Sequence, residues 1–153
     1  MKDVPALSHE IDPATAIQTS PSPLLPAAAE TIAPTTTDAC MQAARTQAEM
    51  NKCAVNNAEQ AKRRLGQLIQ ELAAKMGADQ YARLLAIEAK WERLAKEHCT
   101  WDADFFAGGS VRPMWYATCL ARQYGERIDA LRIGLCEGHG MTGECEASLR
   151  YRP

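Results

Sequence analysis

The chain has 153 residues, with 17 Lys and Arg against 19 Asp and Glu, for a formal charge of −2. At 46% hydrophobic and 24% charged residues it has the balance of a globular protein, and its length favours one domain or one domain plus a tail. No stretch approaches the roughly 18–20 apolar residues of a membrane-spanning helix, and the near-neutral charge argues against general nucleic-acid binding, which relies on a basic surface to displace counterions.

The composition breaks near residue 38. Residues 1–38 hold Pro5, Pro13, Pro21, Pro23, Pro26 and Pro34 and lack glycine, cysteine and aromatic residues. Their charges are Lys2 against Asp3, Glu10, Asp12, Glu30 and Asp38. Prolines at that density remove backbone donors and block helix and central strand. Without aromatics there is too little apolar surface to offset the entropy of ordering the chain. The segment is expected to be a disordered Pro/Ala/Thr-rich tether, and residues 39–153 a folded domain. Its most apolar stretch, Pro23 to Ala29, is interrupted by Pro26 and has no basic flank, so it is a poor export signal. A mature form, its signal or lipid tether belonging to the precursor and Met1-Lys2 being an expression start, is the expectation.

From residue 39 the pattern is helical. Thr46-Gln47-Ala48-Glu49 reads as a capping box. Behind it runs a stripe of Ala54, Ala58, Ala61, Leu65, Leu68, Ile69, Leu72 and Met76 at helical spacing. Gly77 is placed to end that helix in the left-handed conformation. Asp79 is placed to cap a second, with Leu84, Ile87, Trp91, Leu94 and His98 as its buried stripe. So short a connection predicts an antiparallel pair. The second helix is expected to end near Cys99, ahead of Thr100 to Arg112. Pro113 suits the first turn of a third, which buries Ala117, Leu120, Ala121, Tyr124, Ile128 and Leu131 and runs to about Leu135. No segment alternates with period two. The expected fold is all-α: a three-helix antiparallel bundle of about 90 residues.

So small a core calls for covalent staples. The six cysteines, an even number in a modest chain, point to disulfides and an oxidising compartment. Cys136 and Cys145 bracket a loop that three glycines let close. Cys40–Cys53 and Cys99–Cys119 are the favoured remaining pairs, each closing a segment around a helix start. A rival arrangement ties Cys53 to Cys99, which lie at similar heights above the turn at Gly77.

Several motifs carry no chemistry. Gly138-His139-Gly140-Met141-Thr142-Gly143 spells a dinucleotide fingerprint but follows no strand and opens no helix. Cys136, His139 and Cys145 offer zinc three ligands at unusual spacing, and oxidised cysteines do not bind. His9 lies in the tail and His98 on a helix face, far apart in sequence. Glu88 and Glu92 stand one turn apart as on most solvated helices, and Lys62-Arg63-Arg64 reads as a wet face. No nucleophile has a base and orienter near it, so neither an enzyme nor a metal or cofactor site is expected.

The order of particular residues resembles a family. Cys40 through Cys53, containing Thr46-Gln47-Ala48-Glu49-Met50-Asn51, is similar to the opening of LprI-like lysozyme inhibitors. Ala89-Lys90-Trp91-Glu92-Arg93 through Glu97-His98-Cys99 is similar to that family's tryptophan helix. Gly108-Gly109-Ser110, Pro113, Cys119-Leu120, Arg127 and Leu131 complete the order. The resemblance covers residues 39–135; Cys136 and Cys145 lie beyond it, and Lys96-Glu97-His98 departs from the family's usual arginine and aspartate. It implies a secreted or envelope-tethered helical protein that inhibits a lysozyme-type muramidase. The enzyme faced is either host lysozyme or, for an immunity protein, a hydrolase effector delivered between bacteria. The competing reading is an envelope adaptor or structural protein with no inhibitory activity.

The expected contact surface is the segment Trp101 to Arg112. Trp101, Phe105 and Phe106 supply apolar anchors, while Asp102 and Asp104 attract a basic enzyme. Gly108-Gly109-Ser110 is slim enough to enter a saccharide cleft, with Arg112 facing the two acids that such an enzyme needs. The plainer expectation for the aromatics is that they cap the end of the core.

Overall fold

The computed structural model describes residues 36–152, with side chains from residue 39. Apart from residues 36–38, the expected tether, His9 included, lies outside the described residues. Five α-helices follow in order: α1 (Thr36–Ala43), α2 (Gln47–Ala73), α3 (Ala78–Ala103), α4 (Arg112–Arg132) and α5 (Glu146–Leu149). Short 3₁₀ turns occupy Asp104–Phe106, Ile133–Leu135 and Glu137–Gly140. No strand occurs among the described residues.

The expected count of three helices is therefore corrected to five. The long helices α2, α3 and α4 are the predicted bundle; α1 and α5 are additions of eight and four residues. Helices that short are marginal on their own, because nucleation is costly, and periodicity has little length over which to show. A disulfide holds each in place, Cys40–Cys53 for α1 and Cys136–Cys145 beside α5.

The chain runs up, down and up. Gln47 at the start of α2 touches Met114 at the start of α4, and Leu72 near the end of α2 lies against Gly134 just past α4. These two helices are thus parallel. Between them α3 runs the other way, with Trp91 on Tyr124 and Cys99 bonded to Cys119. The core is built from Ala54, Ala58, Leu65, Leu68 and Leu72 of α2 against Ala117, Leu120, Tyr124 and Ile128 of α4. Leu68, Leu72 and Cys99 are its most deeply buried members.

The start of α2 forms as its sequence dictates. The Glu49 amide donates to the Thr46 hydroxyl at 3.2 Å, and the Glu49 carboxylate accepts from the Thr46 amide at 2.9 Å, satisfying donors that a helix start leaves open. The turn after α2 is different from expectation. Gly77 has φ −71°, so it is the extended cap of α3 and not a left-handed stop for α2. Asp79 lies inside the first turn of α3, and the cap makes no side-chain hydrogen bond.

The buried stripe of α3 is also corrected. Ile87 and Leu94 are 53% and 64% exposed, and His98 is exposed. The face turned inward carries Glu88, Ala95, Cys99 and Ala103, with Leu84 and Trp91 at its margin. Small side chains let α3 approach α4 closely enough for the Cys99–Cys119 bond, with its Cα atoms 5.6 Å apart. Glu88 is buried because Arg127 meets it with two donors and also lies over the Trp91 ring, 5.5 Å from its centroid. A charge inside a core is tolerated when paired in this way.

All six cysteines are bonded, as Cys40–Cys53, Cys99–Cys119 and Cys136–Cys145. The rival Cys53–Cys99 pairing is excluded, and Cys136 and Cys145 have no thiolate to offer a metal beside His139. Beyond α4 the chain is fastened back onto α2. Tyr151 is buried and its hydroxyl donates to Glu71 at 2.8 Å, while Arg64 donates to the carbonyls of Arg150 and Arg152.

Candidate functional site

The segment from Trp101 to Arg112 is built at the end of the bundle where α3 passes into α4. It is more helical than expected. Trp101 and Asp102 belong to the last turn of α3, Asp104, Phe105 and Phe106 to a 3₁₀ turn, and Arg112 opens α4. Only Ala107–Val111 lie outside a helix. The α3 helix runs past Cys99 to Ala103 because Ala103 is fully buried at the top of the inward face. Pro113 then stands in the first turn of α4, where its missing amide costs nothing.

Two ring pairs divide the tip. On one side Trp101 meets Phe105 edge-on at 5.4 Å, and these rings are 62% and 73% exposed. On the other side Phe106 is half-buried against Trp115, with ring centroids 4.7 Å apart. The Trp115 indole donates to Asp102 at 3.1 Å. Arg112 reaches Asp104 at 2.7 Å, and both side chains stay about half in water. Between them the chain turns at Gly108, whose φ of +79° suits glycine. Ser110 is exposed, and its carbonyl accepts from Asn51 of α2 at 3.0 Å.

The structure thus brings all seven sequence-derived residues to one end of the fold, but not as one continuous patch. Asp102 and Asp104 are not free charges: each is engaged by a neighbour, Trp115 and Arg112. Sequence alone assigns Trp115 and Asn51 no role at this site, Asn51 entering only through the motif that resembles the family. Trp115 was detectable as a large aromatic at the start of α4 that falls off the buried Ala117, Leu120 and Tyr124 face. Asn51 had no local signal, since its partner lies 59 residues away.

Other charged groups are committed to the fold. Glu92 of α3 bonds Lys62 at 2.6 Å and Lys96 at 2.9 Å and accepts from the Tyr124 hydroxyl. Hydrogen bonds from Lys62 and Lys96 draw its carboxyl down to about 2. Burial, then the charge of Glu92, pushes Tyr124 up to about 12. Arg63 pairs with Glu59. The basic run 62–64 is therefore a set of intramolecular ties. Among the described residues no cluster of three or more His, Cys, Asp or Glu is arranged to hold a metal.

The sequence model of the LprI lysozyme inhibitor family matches residues 38–131. The chain belongs to that family. Its members are inhibitors rather than enzymes, and the partner they imply is a lysozyme. The match spans most of α1 through nearly all of α4 and includes the whole tip, while Cys136, Cys145 and α5 fall beyond it. No curated protein and no solved structure matches the chain. Family membership and three disulfides mark an extracytoplasmic protein, and no described helix is long and apolar enough to cross a membrane.

Proposed function

We propose that this LprI-family protein is a periplasmic or envelope-tethered inhibitor of a lysozyme-type muramidase, and that the end of the bundle at Trp101–Arg112 enters the enzyme's cleft. The observation that carries the reading is the exposure of Trp101 and Phe105 beside a narrow glycine turn. That end is fastened by Cys99–Cys119 and by Asn51. A contact surface held rigid before binding loses less freedom when it docks.

The chemistry follows from what the enzyme needs. A muramidase cleaves with two carboxyl groups flanking the scissile bond, one of which must deliver a proton. Arg112 is held in water by a single carboxylate, so an enzyme carboxylate can replace Asp104 as its partner. Gly108-Gly109-Ser110 brings little bulk to the cleft, and Trp101, Phe105 and Phe106 supply apolar contact at its rim.

A stoichiometric inhibition assay against several muramidases tests the reading: activity should fall in proportion to added protein. A host lysozyme or a bacterial hydrolase effector as the enzyme inhibited would separate host defence from immunity. Full activity of every muramidase at micromolar protein would favour an envelope adaptor instead.

A further inference from the structure

We propose that the outer face of α3 pairs antiparallel with α3 of a second copy of this chain. The stripe that the sequence marks for burial, Leu84, Ile87, Trp91, Leu94 and His98, continues to Trp101 at intervals of three and four residues along the helix. That is the spacing of a helix–helix seam. The core of this molecule takes mainly the neighbouring face, through Glu88, Ala95, Cys99 and Ala103, and touches the stripe only at Leu84 and Trp91. Ile87, Leu94 and Trp101 are left more than half exposed.

What identifies the occupant is the charge along the seam's open edge. Arg83, Lys90, Glu97 and Asp104 recur every seven residues there, two cations followed by two anions, and all four are exposed. Arg83, Lys90 and Glu97 form no ion pair among the described residues. Such a column complements itself only when a copy runs the opposite way. One register sets Leu84 against Trp101, Ile87 against His98 and Trp91 against Leu94 of the copy. In that same register Lys90 faces Glu97, a pair occurring twice by two-fold symmetry, while Arg83 comes beside Asp104, which Arg112 of its own chain already engages. The seam's other edge is closed off, because Glu88 and Ala95 turn into the core. A parallel pair would set this edge against the copy's other edge, where Glu88 and Ala95 are taken up by the core and offer it no free charge.

This inference goes beyond inhibition, and because the seam covers Trp101, pairing through α3 and docking of Trp101 on an enzyme exclude each other. The test therefore uses Lys90, Leu94 and Glu97, and reads mass rather than muramidase activity. Sedimentation equilibrium of the full chain should show a concentration-dependent dimer. Leu94→Glu, at the centre of the seam, should leave only monomer with an unchanged helical spectrum. Lys90→Glu and Glu97→Lys should each weaken dimerisation by about tenfold, since each turns two attractions into two repulsions. The Lys90→Glu/Glu97→Lys double variant should restore it, because the swap preserves the complement. A chain that stays monomeric at every concentration, its seam bare or covered by its own residues 1–35, would overturn the proposal. So would a dimer indifferent to Leu94→Glu, or single charge reversals that the double reversal does not rescue.

Discussion

Arg112, the first residue of α4, closes at 2.7 Å on Asp104, the first residue past α3. Both side chains remain about half exposed, and water screens a pair of that kind to roughly 0–1 kcal/mol of stability. It therefore adds little to folding, which leaves Arg112 available for the proposed contact with the enzyme. Arg112→Ala should weaken target binding by about 1 kcal/mol or more, while chemical denaturation moves by less than about 0.5 kcal/mol. Phe105→Ala and Phe106→Ala should weaken binding to a similar degree. Titration calorimetry beside urea unfolding reads both quantities. Unchanged affinity in all three variants would move the interface away from this end of the bundle.

Glu88 and Arg127 behave in the opposite way, because they lie between helices with little access to water. Arg127→Leu leaves a buried carboxylate without its partner and removes the cation from above Trp91, so it should cost about 3–5 kcal/mol. The double variant Glu88→Leu/Arg127→Leu removes both charges and should recover most of that loss. Denaturation midpoints of the two variants, taken with the parent, decide it: a double variant no better than the single would mean that the pair does more than neutralise itself.

The acid limb of stability should carry the mark of Glu92. Hydrogen bonds from Lys62 and Lys96 hold its folded carboxyl at about 2, against 4.5 for an unperturbed one. A depressed carboxyl stabilises the fold above the unfolded value and loses that contribution as pH falls through the folded one. The loss should run from about 4.5 down to about 2. Glu92→Gln should be less stable than the parent at neutral pH, and the gap should shrink across that window. Urea midpoints measured through the window test this, and a gap independent of pH would show that Glu92 does not act through its charge.

The sequence made the long helices and the staples legible and left the packing of α3 obscure. Apolar stripes in α2 and α4 are made of Leu, Ile and Tyr side chains that do enter the core, and the Thr46–Glu49 box is purely local. In α3 Ile87 and Leu94 point outward, Leu84 and Trp91 reach only the margin of the core, and the inward positions are filled by alanines, a half-cystine and a paired Glu88. Size and polarity read from sequence favour the wrong face there. Glu88 fits inside only because Arg127, 39 residues later, arrives with α4. The end of the bundle was legible in membership but not in contacts. Arg112–Asp104 lies within reach of a local reading; Asn51–Ser110 and Phe106–Trp115 depend on how helices meet.

The Cys99–Cys119 bond joins α3 to α4 immediately below the exposed aromatics, closing a segment of 20 residues. Loop-closure entropy assigns such a cross-link about 3 kcal/mol. Cys99→Ala/Cys119→Ala should lose about that amount and also loosen residues 101–112, seen as faster amide exchange there than in α2. Cys136→Ala/Cys145→Ala opens a shorter loop, of nine residues, and should cost slightly less, with exchange at 101–112 unchanged. Equal acceleration of exchange at that end in both variants would mean that the first bond has no special hold on it.

Of the three glycines between Cys136 and Cys145, Gly140 and Gly143 differ in what surrounds them. Gly140 has φ +76°, and a Cβ there would stand 1.8 Å from Cγ2 of Ile133 and 3.3 Å from its Cβ. Gly143 has φ +98° with nothing within 4 Å of a Cβ. Alanine at Gly143 therefore meets backbone strain alone, worth about 1–2 kcal/mol. Alanine at Gly140 meets that strain and a branched side chain that cannot move aside, because Ile133 is anchored at the end of α4 by the 3₁₀ turn. Gly140→Ala should cost clearly more than Gly143→Ala, by about 1–3 kcal/mol for the overpacked contact. Ile133→Ala in the Gly140→Ala background removes the obstructing methyl and should return part of the difference, whereas the same change beside Gly143→Ala should return none. Thermal unfolding of the four variants separates the steric share from the conformational one, and equal losses at the two glycines would show that the C-terminal loop relaxes away from Ile133.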